Sequence, residues 1–505
     1  MGFEPNFTRV ISSVRKNVGI TQSVIELKLP TNENNVVAIY SVGAKSSIVG
    51  SEASGKEISF MGLVDFQAVY GGDGVLALDY SAEFRDKFVS DRDVLGELVI
   101  TSNVVDVVSE VVAGGIRVRA IIEVAIDEIA SKDLNILTSV TGNDAHLSTG
   151  EVTYSSYIGK AYEKFDVSGD LQLDNVLSVL MVTPCVSMYD IMSKDNYLIV
   201  SGKLNLDICY KSGENVQDIE TKYHSIDFSW EVAFDGLRSD SIVQSVVGLV
   251  YNDIKVSTLM EDGVATININ VPVVYNGYVY NENTIEVVED MYLENNYMSI
   301  TCENFNTLVG HQSLRFRDNI SGVASILDTA PFIDEIVGVC TNNLVLAGCR
   351  IDNGLMVLEG IANATVLYYT KETGDITSVQ IEMPFVVEEK ALGSDASVVA
   401  VCLENIMARS KRGKEIEVSA ELSVYADTYS DSGLCVITGV NVGEEKPHDD
   451  CALYMYIVKP GQTIWDVAKD MNVAQELILE QNPEVELPLK AGDKLVIYRP
   501  NLMKY

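Results

Sequence analysis

The sequence predicts a mainly β fold, with three tandem antiparallel β-sandwich-like domains followed by a small strand-helix-helix-strand module. Three observations carry this. Long stretches alternate apolar and polar residues with the period of two that a strand requires. One such stretch recurs three times around a glycine, and helical periodicity is confined to the last tenth of the chain.

The first copy is centred on Gly62, where Ile58, Phe60, Val64, Phe66, Ala68 and Tyr70 share one face of a long strand. The second has Leu198, Val200, Leu204, Leu206, Ile208 and Tyr210 around Gly202, and the third Met356, Leu358, Ala362, Ala364, Val366 and Tyr368 around Gly360. The opposite face carries Asp65, Asn205 or Asn363 three residues after the glycine. A glycine in mid-strand marks a bulge or a close backbone approach. Roughly 50 to 60 residues further on in the first and third copies comes a second alternating run, Ile116 to Val124 and Ile416 to Val424. In the middle copy the run is Ala265 to Val273, displaced by one residue against Gly263. The glycines are too far apart for a solenoid, so each unit is a whole domain and three stand in series.

The expected layout is a divergent domain over 1–145, a second over 150–302, a third over 303–440, a linker over 441–452 and the terminal module over 453–500. The first boundary falls in the polar stretch Thr141 to Gly150, and the linker in the charged, turn-rich segment Asn441 to Asp450.

The terminal module opens with Tyr454, Tyr456 and Val458 alternating with Met455 and Ile457, and Pro460-Gly461 then turns the chain. Thr463 with Asp466 caps a helix whose buried stripe is Ile464, Val467, Ala468 and Met471. Asn472 ends it. Ala474, Leu477 and Ile478 start a second helix, which stops before Asn482-Pro483 because proline disfavours helical geometry in the residue ahead of it. Gly492-Asp493 turns into a strand from Leu495 to Tyr498.

Lys459-Pro-Gly-Gln-Thr-Ile-Trp-Asp-Val-Ala468, Asn482-Pro483 and Ala491-Gly-Asp-Lys-Leu495 resemble the LysM domain. The resemblance implies a shallow groove formed by Gly461, Gln462, Thr463, Ile464 and Trp465 with Leu487, Pro488 and Leu489, which in that family holds N-acetylglucosamine-containing glycans. Gln462 replaces the family's common Asp. The Gly-x7-Tyr strands, Ile381-Glu-Met-Pro-Phe385 after the third, and the apolar entry Ile336 to Leu346 before it are similar to SPOCS domains. The middle copy has Ile226-Asp-Phe-Ser-Trp230 and the first Phe84 to Phe88 in place of that Pro-Phe. Three such domains ahead of LysM resemble the SipL-type spore-coat morphogenetic proteins of spore-forming Firmicutes. This implies a non-enzymatic scaffold for spore coat assembly in the mother-cell cytoplasm, with the β-domains as spacers and LysM gripping the coat basement-layer ATPase (SpoIVA-like), among other coat proteins. A peptidoglycan-binding protein of the cortex or wall is the alternative.

Composition fits this reading. Asp and Glu number 73 against 36 Lys and Arg, a net charge of -37, which disfavours nucleic acid and anionic membrane surfaces. With 47% hydrophobic residues and 11 prolines the chain has the means to build several cores. The first 30 residues carry Arg9, Arg15, Lys16 and Lys28, as a solvated terminus or a docking arm would. Met1 to Asn6 lacks an export signal, and the longest apolar run, Val176 to Val186, is too short to span a bilayer, so a cytoplasmic location is expected.

No catalytic set, cofactor motif or metal-ligand spacing stands out. His146, His224, His311 and His448 are scattered, and the eight cysteines show no C-x-x-C, which points to reduced packing residues, with a Cys340 to Cys349 disulfide as the alternative. The basic run Arg409 to Lys414 falls on an expected hairpin turn. Trp230 lies in an apolar-alternating segment and is expected in a core. Trp465 is off the helix stripe, and two roles are open to it: an exposed anchor for a partner, or packing against Tyr498 or the linker.

Overall fold

The computed structural model describes residues 3–31, 36–142, 144–213, 219–261, 264–326, 331–447 and 453–498. Gly263, His448 and Cys451 lie outside these, as do the linker residues 448–452. The strands fall into three consecutive groups. The first comprises β1 (Glu4–Leu29), β2 (Ala38–Ser54), β3 (Glu57–Gly72), β4 (Gly74–Val89), β5 (Glu97–Val112) and β6 (Gly115–Thr141). The second comprises β7 (Ala145–Asp174), β8 (Val176–Lys194), β9 (Tyr197–Ser212), β10 (Ile219–Ala233), β11 (Ile242–Leu249), β12 (Lys255–Glu261) and β13 (Val264–Leu293). In the third are β14 (Asn296–Ser325), β15 (Ile333–Asp352), β16 (Leu355–Thr370), β17 (Ile376–Lys390), β18 (Asp395–Lys411) and β19 (Glu415–Glu445). A module of β20 (Leu453–Ile457), α1 (Ile464–Met471), α2 (Gln475–Gln481) and β21 (Lys494–Tyr498) ends the chain.

Each group has one sheet ordered as a meander, β2-β3-β4, β8-β9-β10 or β15-β16-β17, with the glycine strand in the middle. A second antiparallel sheet is built on β6, β13 or β19. The alternating apolar residues of both sheets face each other: Ile58 to Tyr70 meet Ile116 to Ile126 in one core, and the other groups repeat this. These side chains are nearly all out of water, each contributing about 1.5 to 3 kcal/mol by burial. The second group differs in one place. The strand that corresponds to β5 and β18 is broken into β11 and β12 by a short 3-10 turn, Tyr251–Asp253.

The three glycines do the same job. Gly62, Gly202 and Gly360 pair with Phe84, Phe228 and Phe385, whose rings lie over the bare backbone. A Cβ there would also come within 2.5 to 2.6 Å of a carbonyl oxygen, from Ser47, Ser187 or Val345. The bulge sits on the neighbouring strand, directly after the residue facing the glycine: register slips follow Ile48, Met188 and Leu346. Trp230 stacks between Phe165 at 4.2 Å and Phe228 at 4.0 Å, against the second core.

The groups do not string out as spacers. Val69, Cys209 and Leu367, each seven residues after its glycine, meet in a single cluster. Ile136, Val287 and Val436 share another with Val10 and Phe305, and Leu137, Val288 and Ile437 a third. Like positions of three groups meeting in one cluster define an approximate threefold axis. Polar contacts follow it: Gln67 Nε2 donates to Val182 O at 3.1 Å, Ser41 Oγ to Asn342 Oδ1 at 3.0 Å, and Ser187 lies 2.9 Å from Ser423.

This packing corrects several sequence expectations. The basic amino-terminal stretch is neither a solvated terminus nor an arm: it is β1, paired along β6 from Glu4 to Leu29, with Arg15 buried 2.7 Å from Asp127. The boundary at 302/303 falls inside β14, β7 already begins at Ala145, and the first five residues of the expected linker belong to β19. Long strand pairs project beyond each core towards the axis, so their polar side reads as linker although the other side is packed. Cys340 and Cys349 are both free thiols. Arg412 and Gly413, at φ 55° and 68°, form the β18–β19 turn as expected.

Two outcomes follow. Gly360→Ala should cost about 1 to 3 kcal/mol in urea unfolding, because Phe385 and the Val345 carbonyl leave no space. Gly248→Ala, where a Cβ meets nothing, should stay within about 0.5 kcal/mol. Burial pushes the Asp65 carboxyl up to about 6 against a hydrogen bond from Ser81. A raised carboxyl stabilises fully below its unfolded value near 4 and loses that contribution as pH rises through about 6. Asp65→Asn, the residue found at the like positions 205 and 363, should therefore gain on the order of 1 to 2 kcal/mol at pH 7 and nothing at pH 4.

Candidate functional site

The terminal module folds by local rules. Thr463 Oγ1 accepts from Asp466 N at 3.2 Å while Asp466 Oδ2 accepts from Thr463 N at 2.7 Å, a reciprocal cap that also draws the Asp466 carboxyl below its ordinary value. Asn472 ends α1 in the left-handed region at φ 52°. Val467, Ala468 and Ile478 from the helices and Leu495 and Ile497 from β21 form the core, with Ile464, Met471 and Leu489 partly buried against it. The outer side of β21 is closed by two side-chain amides: Asn482 bonds both the N–H and the C=O of Val496, and Gln481 those of Tyr498.

The residues expected to form the groove divide in two. Gly461, Thr463, Leu487 and Pro488 are exposed. Gln462, Ile464, Trp465 and Leu489 are held inward. Gln462 accepts from Lys459 N at 3.0 Å and donates to Asp470 at 3.1 Å and to the Tyr456 hydroxyl at 2.9 Å, so this departure from the family's aspartate still fastens the strand-to-helix turn.

Trp465 has a partner within the chain, and it is neither Tyr498 nor the linker. Its indole Nε1 donates to Asp290 Oδ2 at 2.8 Å, near the end of β13, and its ring meets the edge of Tyr292 at 5.0 Å. Lys469 Nζ, one turn further along α1, bonds both oxygens of Asp290 at 2.7 and 2.8 Å. The Tyr292 hydroxyl donates to Val473 O at 2.7 Å, and its ring stacks on His146 at 4.9 Å. Lys446 completes the seat, donating to Leu293 O at 2.5 Å and to Asn472 Oδ1. Burial opposes ionisation of Asp290, but the hydrogen bonds from Lys469 and Trp465 outweigh it and hold the carboxyl below its ordinary value. Sequence reading missed Asp290 and Tyr292 because they lie far upstream in a strand, where nothing local shows that the buried Tyr292 and the half-buried Asp290 face the terminal module.

Against known families, residues 175–257 match the SipL, SPOCS domain and residues 456–497 match the LysM domain. The chain therefore carries a SipL-type SPOCS domain and a LysM domain, in that order. Both are non-catalytic modules, and among the described residues no group of three or more His, Cys, Asp or Glu is placed to hold a metal. No curated protein and no solved structure matches the chain.

The seat on β13 makes a prediction about pH and mutation. Asp290→Ala leaves the exposed Lys469 ammonium to water and the half-buried Trp465 N–H without its acceptor, costing the docking contact about 1 kcal/mol. Because the folded pKa of Asp290 is depressed, docking is fully stabilised above the unfolded value near 4 and is lost as pH falls through the lower folded value. Protection of the α1 amides, taken relative to intrinsic exchange at each pH, should fall in Asp290→Ala at neutral pH and in the wild type as pH drops below the ordinary carboxylate range, with the module's own circular dichroism at neutral pH unchanged in the variant.

Proposed function

We propose that this chain is a non-enzymatic scaffold for spore coat assembly, which works at the forespore surface in the mother cell and docks through LysM to a coat morphogenetic ATPase. The observation that carries the reading is the mounting of LysM: Trp465, Lys469 and Val473 fasten it to the body while Gly461, Thr463, Leu487 and Pro488 stay exposed. A module held in one attitude on a large rigid body suits presentation to a protein partner. All three strand groups, over 4–141, 145–293 and 296–445, are read as SPOCS-type domains, on the shared Gly-Phe pairing and the shared strand order. Other coat proteins would then meet the outer faces of this body.

Peptidoglycan binding is the second reading, favoured by the Pro460-Gly461 turn and by the exposure of both loops that the family uses for glycans. Affinity capture from sporulating cells separates the two. The full chain should retain the coat ATPase, a chain lacking residues 453–505 should not, and neither should sediment with purified peptidoglycan. Sedimentation that N-acetylglucosamine oligomers compete away, without ATPase capture, would put the glycan first. Ile464→Arg, which buries a charge beside Val467 and Ala468, should unfold the module and abolish either activity.

A further inference from the structure

Where the second group meets the third, Cys185 of β8 and Cys402 of β18 face each other. Cys185 pairs across its sheet with Asn205, and Asn205 Nδ2 donates to Cys402 Sγ at 3.6 Å, so the Cys402 thiol sits over that strand pair. Cys185 Sγ donates to Val401 O, the residue before Cys402, at 3.6 Å, so both thiols lie at the same point of the junction. Cys402 is fully buried, whereas Cys185 keeps part of its residue surface exposed and is the nearer of the two to solvent. Lys45 of the first group closes the site: its Nζ donates to Pro184 O, the residue before Cys185, at 3.3 Å, and lies 5.3 Å over the Tyr251 ring. Lys45 and Cys185 stand at the same distance ahead of Gly62 and Gly202, so this is one junction of the approximate threefold axis, filled differently in each group.

We propose that Cys185 and Cys402 are an oxidative cross-linking site, in which peroxide joins the second and third strand groups through a disulfide. The Cys185 thiolate attacks one peroxide oxygen, the O–O bond breaks and hydroxide leaves, giving a sulfenic acid. The Cys402 sulfur then attacks the Cys185 sulfur, the S–O bond breaks, and the departing hydroxide takes the Cys402 proton as water. Two thiols and one hydrogen peroxide become one disulfide and two waters, with the sulfurs oxidised and the peroxide oxygens reduced.

The order of steps follows from the surroundings. A hydrogen bond with Cys402, helped by the Lys45 ammonium, draws the Cys185 thiol below its ordinary value, while burial pushes Cys402 well above it. Cys185 is thus the attacking sulfur and Cys402 the resolving one. The exposed pair Cys302 and Cys435, diagonal neighbours on paired strands of one sheet, serves as the internal comparison.

The test uses the reduced full chain, treated with hydrogen peroxide, denatured in N-ethylmaleimide, digested without reductant and read by mass spectrometry. A Cys185–Cys402 peptide pair that dithiothreitol releases is the expected product, and the oxidised chain should unfold in urea with an equilibrium constant shifted on the order of a hundredfold. Cys402→Ala should instead accumulate the Cys185 sulfenic acid, trapped by dimedone. The proposal is overturned if both cysteines remain maleimide-labelled at peroxide levels that oxidise Cys302 and Cys435, or if the wild type stops at Cys185 sulfenic acid without the cross-link.

Discussion

Burial of both faces of the three central strands β3, β9 and β16 is the constraint on which the rest of the molecule depends. One face supplies a sandwich core, and the other meets the neighbouring groups, where Val69, Cys209 and Leu367 are almost wholly out of water. Around those residues the strand has no solvent side to carry charge freely, and charge open to water lies away from them, as at Glu57, Lys203 and Glu359. Its second face must be small, apolar or hydrogen-bonded, which accounts for Asn205 on Cys402, Thr365 on Asn342 and Asp65 held by Ser81, and burial raises both Asp65 and the like-facing Asp207 to about 6. The bare glycine backbone has a related purpose, letting a phenylalanine from the next strand close over it.

Much of this could be read from residues alone, and the boundary between what could and could not is physical. Period-two alternation reports the face of a strand that meets its own sandwich partner, because that partner is apolar along its whole length. It says little about the second face, where a few apolar residues mixed with Ser, Thr and Asn look like a solvent side. The projecting ends of β1, β6, β7, β13, β14 and β19 were therefore legible only as linkers and a basic arm. In the terminal module, capping residues act over three or four positions, so Thr463, Asp466 and Asn472 fixed the helix limits directly. The seat for Trp465 depends on a carboxylate in another group, and no local pattern encodes it.

The mounting of LysM also changes what the acidic composition means. Most of the surplus carboxylates are spread over the body, but Asp290 satisfies an ammonium and an indole at once, and so converts a solubilising charge into a positional one. A scaffold gains from this, since the free energy of orienting its recognition module is spent within its own chain, before any partner arrives.

The carboxyl-terminal bulges give that mounting a wider meaning. Thr138, Glu289 and Thr438 are the extra residues in the three long strand pairs, and the residues directly after them are Ser139, Asp290 and Gly439, followed two positions on by Thr141, Tyr292 and Asn441. Only the second set offers an acid and a phenol, so one side of a nearly three-sided object is singled out. A body with three like sides has no bearing about its axis. Fixing LysM at one of them supplies a compass point, and molecules captured through that module on a common surface would all face the same way, turning a rotationally indifferent block into a tile with a leading edge.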